Sequence, residues 1–218
     1  MKLIKILISI ILFISSVWAN NIYLEKFNPD SLRFKTAYAT RCIESPSVDG
    51  RLDDDPWKQA IPVNEFFQIE PNELTAPSEQ TITRVVYDDN AIYIAFENFD
   101  SDPDKIRSPL TRRDSYMDGF ASNADFVGFA IDSKNDDYNG KWFGVNAAGV
   151  KIDVAISGHE DYDPSWDAVW DVKIDINDVG WTAEFRIPFS VFQFENKENH
   201  IWGVEFDRHI HRTQEMLR

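Results

Sequence analysis

The stretch 169–188 reads VWDVKIDINDVGWTAEFRIP and decides the fold of this chain. Apolar and charged residues alternate over 169–176, which predicts a strand with one apolar face. Residues 177–180 have the composition of a turn, and the alternation resumes over 181–187. Two successive amphipathic strands indicate an antiparallel sheet that turns one face toward a core. The apolar face of the first strand comprises Trp170, Val172, Ile174 and Ile176.

Short strands separated by turns continue on both sides of this stretch. The arms 81–87 and 91–97 of one predicted hairpin are apolar on both faces, which is typical of central strands in a covered sheet. A short helix is predicted over Asp55–Ala60, with Asp55 as its cap and Pro56 in its first position. The predicted fold is therefore all-β, an antiparallel β-sandwich of jelly-roll or immunoglobulin-like arrangement with one short helix. The other predicted strands are 125–131, 141–146, 150–156 and 201–208.

The chain begins with the features of a secretory signal peptide, predicted to span residues 1–19. Two lysines precede a short apolar run, and alanine occupies the last position before the predicted cleavage point. Residues 20–36 are predicted to be a lead-in, and residues 37–218 a single β-domain. We therefore expect a protein that crosses the inner membrane and resides in the periplasm, at the outer membrane or outside the cell.

The composition narrows the classes of partner and activity. Acidic residues outnumber basic ones by 37 to 22, for a formal net charge of −15. Such a surface repels phosphate backbones, so nucleic acid is not expected as a partner. The sequence also lacks the Gly-x-Ser-x-Gly, His-Glu-x-x-His and phosphate-loop motifs. We therefore predict a non-catalytic protein.

Four segments resemble carbohydrate-binding module family 9 in their order and spacing. They are SVDGRLDDDPW at 47–57, WDAVW at 166–170, GWTAEFRIPF at 180–189 and WGVEFDR at 202–208. The resemblance covers roughly residues 38–212. It is closer to the version found at the N-terminus of large bacterial surface proteins that continue into an outer-membrane barrel.

The resemblance implies a β-sandwich that binds oligo- or polysaccharides outside the cytoplasm. Relatives occur beside glycoside hydrolase domains, which implies a link to polysaccharide catabolism. Family members continue past the strand that matches 202–208, so the resemblance implies a domain truncated at its C-terminus and an association with the outer membrane through the missing region. The alternative function is a structural or interaction module that precedes an outer-membrane barrel and has no sugar affinity.

Sugar binding requires flat aromatic faces on which pyranose rings can pack. The family resemblance implies a pair of tryptophans, of which the first would fall in 116–124 and the second beyond residue 218, and 116–124 contains none. The candidate carbohydrate-binding residues are Trp166, Trp142, Tyr162 and Tyr138. Trp166 lies in a polar loop, where a sugar platform and a packing anchor are equal alternatives. Trp142 alternates with Gly144 and Asn146, a weakly apolar face that allows exposure, although packing is the more frequent alternative.

The remaining tryptophans are assigned to packing by their strand context. Trp170, Trp181 and Trp202 are predicted to lie in the core, and Trp57 to plug one end of the sandwich. His209 and His211 share a strand face, which we interpret as an exposed strand edge rather than a zinc site.

An acidic loop at 132–140 is the candidate metal site. Carboxylate and amide oxygens on one tight loop suit calcium, although acidic turns are more often only solvated. A second acidic loop at 49–55 has the same two alternatives. The candidate calcium ligands are Asp132, Asn135, Asp137 and Asn139.

Overall fold

A computed structural model describes residues 36–115, 120, 123–158, 161–197 and 199–218 of the chain. These residues contain twelve strands and one short α-helix. The predicted signal peptide and nearly all of the predicted lead-in fall outside these residues. The strands are β1 Thr40–Arg41, β2 Gln68–Glu70, β3 Thr81–Tyr87, β4 Ala91–Phe99, β5 Phe126–Asp132, β6 Asn139–Asn146, β7 Lys151–Ser157, β8 Asp161–Asp163, β9 Asp171–Asn177, β10 Gly180–Pro188, β11 Gly203–Ile210 and β12 Glu215–Leu217, and the helix α1 is Asp55–Gln59.

The strands form two sheets. The smaller sheet has the order β1-β3-β4-β10-β9, and the larger sheet has the order β2-β12-β11-β5-β6-β7-β8. Neighbouring strands run antiparallel except β1 and β3, which are parallel at the edge of the smaller sheet. The prediction of an all-β sandwich is confirmed. No helix among the described residues has the length and hydrophobicity needed to cross a membrane.

The main core lies between the two sheets and is rich in aromatic rings. Trp181 is 1% exposed and Trp170 is 2% exposed, so their predicted burial is confirmed. Trp170 stacks on Phe185 with ring centroids 5.7 Å apart, and Phe185 meets Phe129 of the opposite sheet edge to face at 5.1 Å. These contacts join the two sheets through rings that also bury large apolar areas.

The prediction that Trp57 plugs one end of the sandwich is wrong, because the stretch 47–57 has a different position. It lies across the outer face of the smaller sheet, the face turned away from the core. Trp57 is 2% exposed there, in a second apolar cluster with Tyr93 and Ala95 of β4. The reason is strand alternation, because these β4 residues point away from the face that Ile94 and Phe96 give to the main core.

Glu184 of β10 holds this stretch in place. Its carboxylate accepts hydrogen bonds from the backbone N–H groups of Asp49 (2.9 Å) and Gly50 (2.6 Å) and from the indole N–H of Trp57 (2.7 Å). Gly50 has φ +93°, and a Cβ there would stand 2.8 Å from the backbone of Ile174, so only glycine fits. Two of the segments that carry the family resemblance, 47–57 and 180–189, therefore meet at one buried carboxylate.

Arg208 of β11 links the two sheets at one end. Its guanidinium is fully buried and donates to the carbonyl of Gln80 (2.8 Å), the hydroxyl of Thr81 (3.0 Å) and the carbonyl of Phe99 (2.7 Å), all in or beside the smaller sheet. Burial lowers the pKa of Arg208 to about 10, while nearby carboxylates such as Asp125 oppose that shift. The group remains charged at neutral pH.

Two local predictions are wrong. His209 does not lie on an exposed edge, because β11 is an interior strand between β12 and β5. Its ring is 8% exposed, contacts Phe126 and lies 2.9 Å from the carbonyl of Ala124. The helix cap is Asp54 rather than Asp55, and the helix ends at Gln59, one residue before the predicted end.

Candidate functional site

The indole of Trp142 lies flat on the outer face of the larger sheet. Trp142 is in β6, and its ring covers Gly128 of β5 and Gly144 of its own strand. A Cβ at Gly128 would stand 2.3 Å from Cζ2 of the indole, and one at Gly144 would stand 2.3 Å from Cη2. Two glycines are therefore required for the ring to rest on the backbone. The ring is half-buried and fixed against two interior strands.

Polar side chains of β11 stand beside this ring. The indole N–H of Trp142 donates to Asp207 at 3.1 Å. Arg218 donates from Nε to the other oxygen of Asp207 at 3.1 Å and from Nη2 to Glu205 at 2.8 Å. Asp207 is almost buried, whereas the side chains of Glu205 and Arg218 are 40% and 42% exposed. We call Trp142, Glu205, Asp207 and Arg218 the indole–carboxylate surface.

Burial and, to a lesser extent, the negative charge of Asp207 raise the pKa of Glu205 to about 6, against the opposing effect of Arg218. Burial likewise raises the pKa of Asp207, against the opposing effects of Arg218 and Trp142. At neutral pH Glu205 therefore offers an ionised acceptor next to the guanidinium donor of Arg218. Charge-assisted hydrogen bonds of this kind are stronger than those between neutral groups.

Apolar residues border the surface on one side. Phe120 and Phe126 meet the indole of Trp142 edge to face, each with ring centroids 6.4 Å apart. Tyr162 of β8 lies on the same face of the sheet, because its partner Ile156 is two residues from Val154, the partner of Trp142. Tyr162 is 60% exposed. The structure thus places Trp142 and Tyr162 on one face, separated by β7.

Trp166 lies on the opposite side of the larger sheet. Its ring meets Phe143, a core residue, edge to face at 5.9 Å, and the ammonium of Lys141 stands 4.4 Å from its centroid. The loop that carries Trp166 is tied down by Asp153, whose buried carboxylate accepts from the backbone N–H of Ala168 at 2.7 Å and from Arg113 at 2.9 Å. Trp166 therefore anchors its loop on the core and does not share a site with Trp142.

Tyr138 and the acidic loop form a tight turn between β5 and β6. One oxygen of Asp132 accepts from the backbone N–H of Lys134, and the other accepts from those of Asp136 and Asp137. Tyr138 is 59% exposed. In the described part of the chain, no group of three or more His, Cys, Asp or Glu side chains is placed to hold a metal ion. Of the predicted calcium ligands, Asp132 thus already accepts three backbone hydrogen bonds.

Calcium binding at Asp132, Asn135, Asp137 and Asn139 stays a prediction. An ion that binds only the folded protein raises its stability by mass action. We expect the midpoint of thermal unfolding to be higher in calcium than in a chelator, and the difference to disappear in Asp137→Ala. Equal midpoints for the wild-type protein in both solutions would remove calcium from this loop.

Sequence reasoning missed Glu205, Asp207 and Arg218. The signal was present in the segment 202–208, where Glu205 and Asp207 alternate with apolar residues and so share the face away from the core. Gly128 and Gly144, which make room for the indole, also stand in strand interiors, where glycine often marks a close approach. Arg218 could not be placed, because β12 is too short to predict.

Comparisons with known proteins give similarity at the level of the fold. No protein-family model matches the sequence, and no curated protein matches it. A carbohydrate-binding module of family 9 from Caldicellulosiruptor kristjanssonii, in complex with cellotriose, matches with a TM-score of 0.55 and 17% identity over 84% of this chain and 82% of that chain. Its counterpart in complex with glucose gives a TM-score of 0.53 and 18% identity over 84% and 83%.

A protein from Bacteroides uniformis, provisionally described as carbohydrate-binding, matches with a TM-score of 0.60 and 12% identity over 82% of this chain and 86% of that chain. In all three matches the structural similarity covers most of both chains. It rests on the arrangement of the strands rather than on identical residues. The described domain therefore has the fold of the family 9 carbohydrate-binding modules.

Proposed function

We propose that this domain binds carbohydrate without catalysing a reaction, and that the indole–carboxylate surface is its binding site. The observation that carries the proposal is the indole of Trp142, held flat against two strands beside Asp207, Glu205 and Arg218. The similarity of fold to known structures also supports the proposal, since domains with this fold occur in complex with cellotriose and glucose.

The surface combines the two kinds of contact that a sugar needs. A pyranose ring has an apolar face of C–H groups that packs on an aromatic ring, and a rim of hydroxyl groups that form hydrogen bonds. Glu205 can accept from hydroxyls, and Arg218 can donate to them. Because Trp142 and Glu205 lie on interior strands, their positions are fixed before the ligand arrives, which reduces the entropic cost of binding.

Replacement of Trp142 by alanine tests the site. In isothermal titration with cellotriose, we expect Trp142→Ala to weaken binding by about 2 kcal/mol or more, the usual cost of losing a central aromatic anchor. Trp166→Ala is the matched control, because it removes the same side chain from the other side of the sheet. The control is expected to bind within about threefold of wild type, a difference below 1 kcal/mol.

The same pair of variants decides between the two tryptophans predicted as platforms. Loss of cellotriose binding in Trp166→Ala, with Trp142→Ala unchanged, would move the site to the loop at 164–168 and its neighbour Lys141. Absence of binding by the wild-type protein to both cellotriose and glucose would refute carbohydrate binding at this surface. Circular dichroism of each variant controls for loss of fold.

We further propose that the domain acts outside the cytoplasm in polysaccharide catabolism, as the predicted signal peptide and the family resemblance imply. The alternative, an interaction module associated with the outer membrane, is favoured by one feature of the surface. Phe194, whose ring contacts the half-buried Trp202, is 38% exposed, and Ile201 and Val204, within two residues of Trp202 in the sequence, are 80% and 44% exposed. Exposed apolar residues that lie together often mark a contact with another protein.

A further inference from the structure

A separate cleft of about 650 Å³ opens on the outer face of the smaller sheet. Tyr93, Arg186 and Asp171 follow one another across β4, β10 and β9 and form part of its floor. Pro46, just before the segment that lies over this sheet, forms part of a wall. The volume falls within the range typical of small-ligand sites, and it exceeds what one sugar ring occupies.

Three cationic side chains line this cleft in a chain that is strongly acidic overall. Arg186 and Lys173 are diagonal neighbours on the outer face of β10 and β9, and Lys151 closes one end. The ammonium of Lys151 lies 4.1 Å from the centroid of the Trp170 ring and donates to the Trp170 carbonyl. Acidic residues outnumber basic ones by 37 to 22 in the sequence, so chance alone does not favour such a group.

The two acidic residues of the cleft do not neutralise these cations fully. Three cations face two carboxylates, and Asp88 directs its oxygens at neutral donors, namely the hydroxyls of Ser45 (2.6 Å) and Tyr93 (2.8 Å) and two backbone N–H groups of the β3–β4 turn. Asp171 stands 3.6 Å from Nη1 of Arg186, which is longer than a hydrogen bond. A ligand carboxylate could therefore form a closer, charge-assisted pair with Arg186.

We infer that this cleft binds an acidic saccharide, a sugar whose ring carries a carboxylate. The carboxylate pairs with Arg186 and Lys173, the hydroxyls meet polar groups such as Asn90, and the C–H face packs against Pro46. The inference takes from the proposed function only that the ligand is a sugar. The site itself lies on a different sheet from the indole–carboxylate surface.

Titration with glucuronate and glucose tests the inference. We expect glucuronate to bind more tightly than glucose, with an affinity that falls as sodium chloride is added. Lys173→Glu should weaken glucuronate binding roughly tenfold, because it places a negative charge beside the ligand carboxylate. Lys197→Glu makes the same change of charge at an exposed site that does not line the cleft and should leave glucuronate binding unchanged.

Equal binding of glucuronate and glucose, or equal glucuronate binding by wild type and Lys173→Glu, would overturn the inference. If acetate displaces glucuronate from the cleft as effectively as added unlabelled glucuronate does, the carboxylate alone accounts for binding. That result would overturn the inference that the ligand is a saccharide. If cellotriose binds through Trp142 and glucuronate does not bind, the cleft is wrong and the proposed function stands. If glucuronate binds in the cleft and cellotriose binds nowhere, the cleft stands and the indole–carboxylate surface is wrong.

Discussion

Replacing Glu184 by alanine is expected to lower the free energy of unfolding by about 2–6 kcal/mol. The change leaves the N–H groups of Gly50 and Trp57 buried without their acceptor, and each such group costs about 1–3 kcal/mol. Chemical denaturation at pH 5, below the raised pKa of Glu184, measures the loss. Glu97→Ala is the matched control on the same sheet, because its partly exposed ion pair with Arg84 contributes about 0–1 kcal/mol.

Glu184 also makes the free energy of unfolding depend on pH. Burial raises the pKa of Glu184 to about 7 from its usual 4.5, and its hydrogen bonds with Gly50, Trp57 and Asp49 oppose a larger rise. The folded protein therefore binds a proton that the unfolded chain has released between about pH 4.5 and 7. The stability from this group is fully present below about pH 4.5 and is lost as the pH rises through about 7.

Position 184 cannot titrate in Glu184→Gln. The free energy of unfolding of the wild type minus that of this variant should therefore be larger at pH 5 than at pH 8. A difference that does not change with pH would contradict the raised pKa. A loss in Glu184→Ala no greater than that in Glu97→Ala would show that the stretch 47–57 is held by its apolar contacts alone.

Replacing Trp181 or Trp170 by alanine is expected to cost about 3–5 kcal/mol each, the usual range for a large aromatic residue removed from a core. Both side chains are nearly inaccessible to solvent and belong to the main core. Tyr38→Ala removes an aromatic residue that is 61% exposed and should change stability by less than about 1 kcal/mol. Denaturation midpoints within error of wild type for both tryptophan variants would mean that the registers of β9 and β10 are wrong.

The fold could be predicted where strand alternation was long and clear. Residues 81–87 form β3 as predicted, and the limits of the other long predicted strands are correct within about two residues. β2, β8 and β12 were missed because three residues cannot show a period. The position of Trp57 was also missed, because burial on the outer face of a sheet looks the same in the sequence as burial in the core.

The candidate site could be predicted only in part. The half-buried Trp142 was singled out from its glycine neighbour, and the structure explains that pattern by the ring resting on Gly144 and Gly128. The polarity of the loop around Trp166 left a sugar platform and a packing anchor as equal alternatives, and the structure packs this ring on Phe143. Local polarity does not reveal a contact between segments that are far apart in sequence.

Two-dimensional NMR of the indole N–H groups during titration with cellotriose locates the carbohydrate most directly. The chain contains seven tryptophans, and each indole gives one signal that substitution can assign. The proposed function predicts that the signal of Trp142, whose N–H is bonded to Asp207 at the indole–carboxylate surface, shifts in proportion to occupancy, and that the signals of Trp166 and Trp181 do not. A saturable shift of Trp166 with no change at Trp142 would contradict the proposed site.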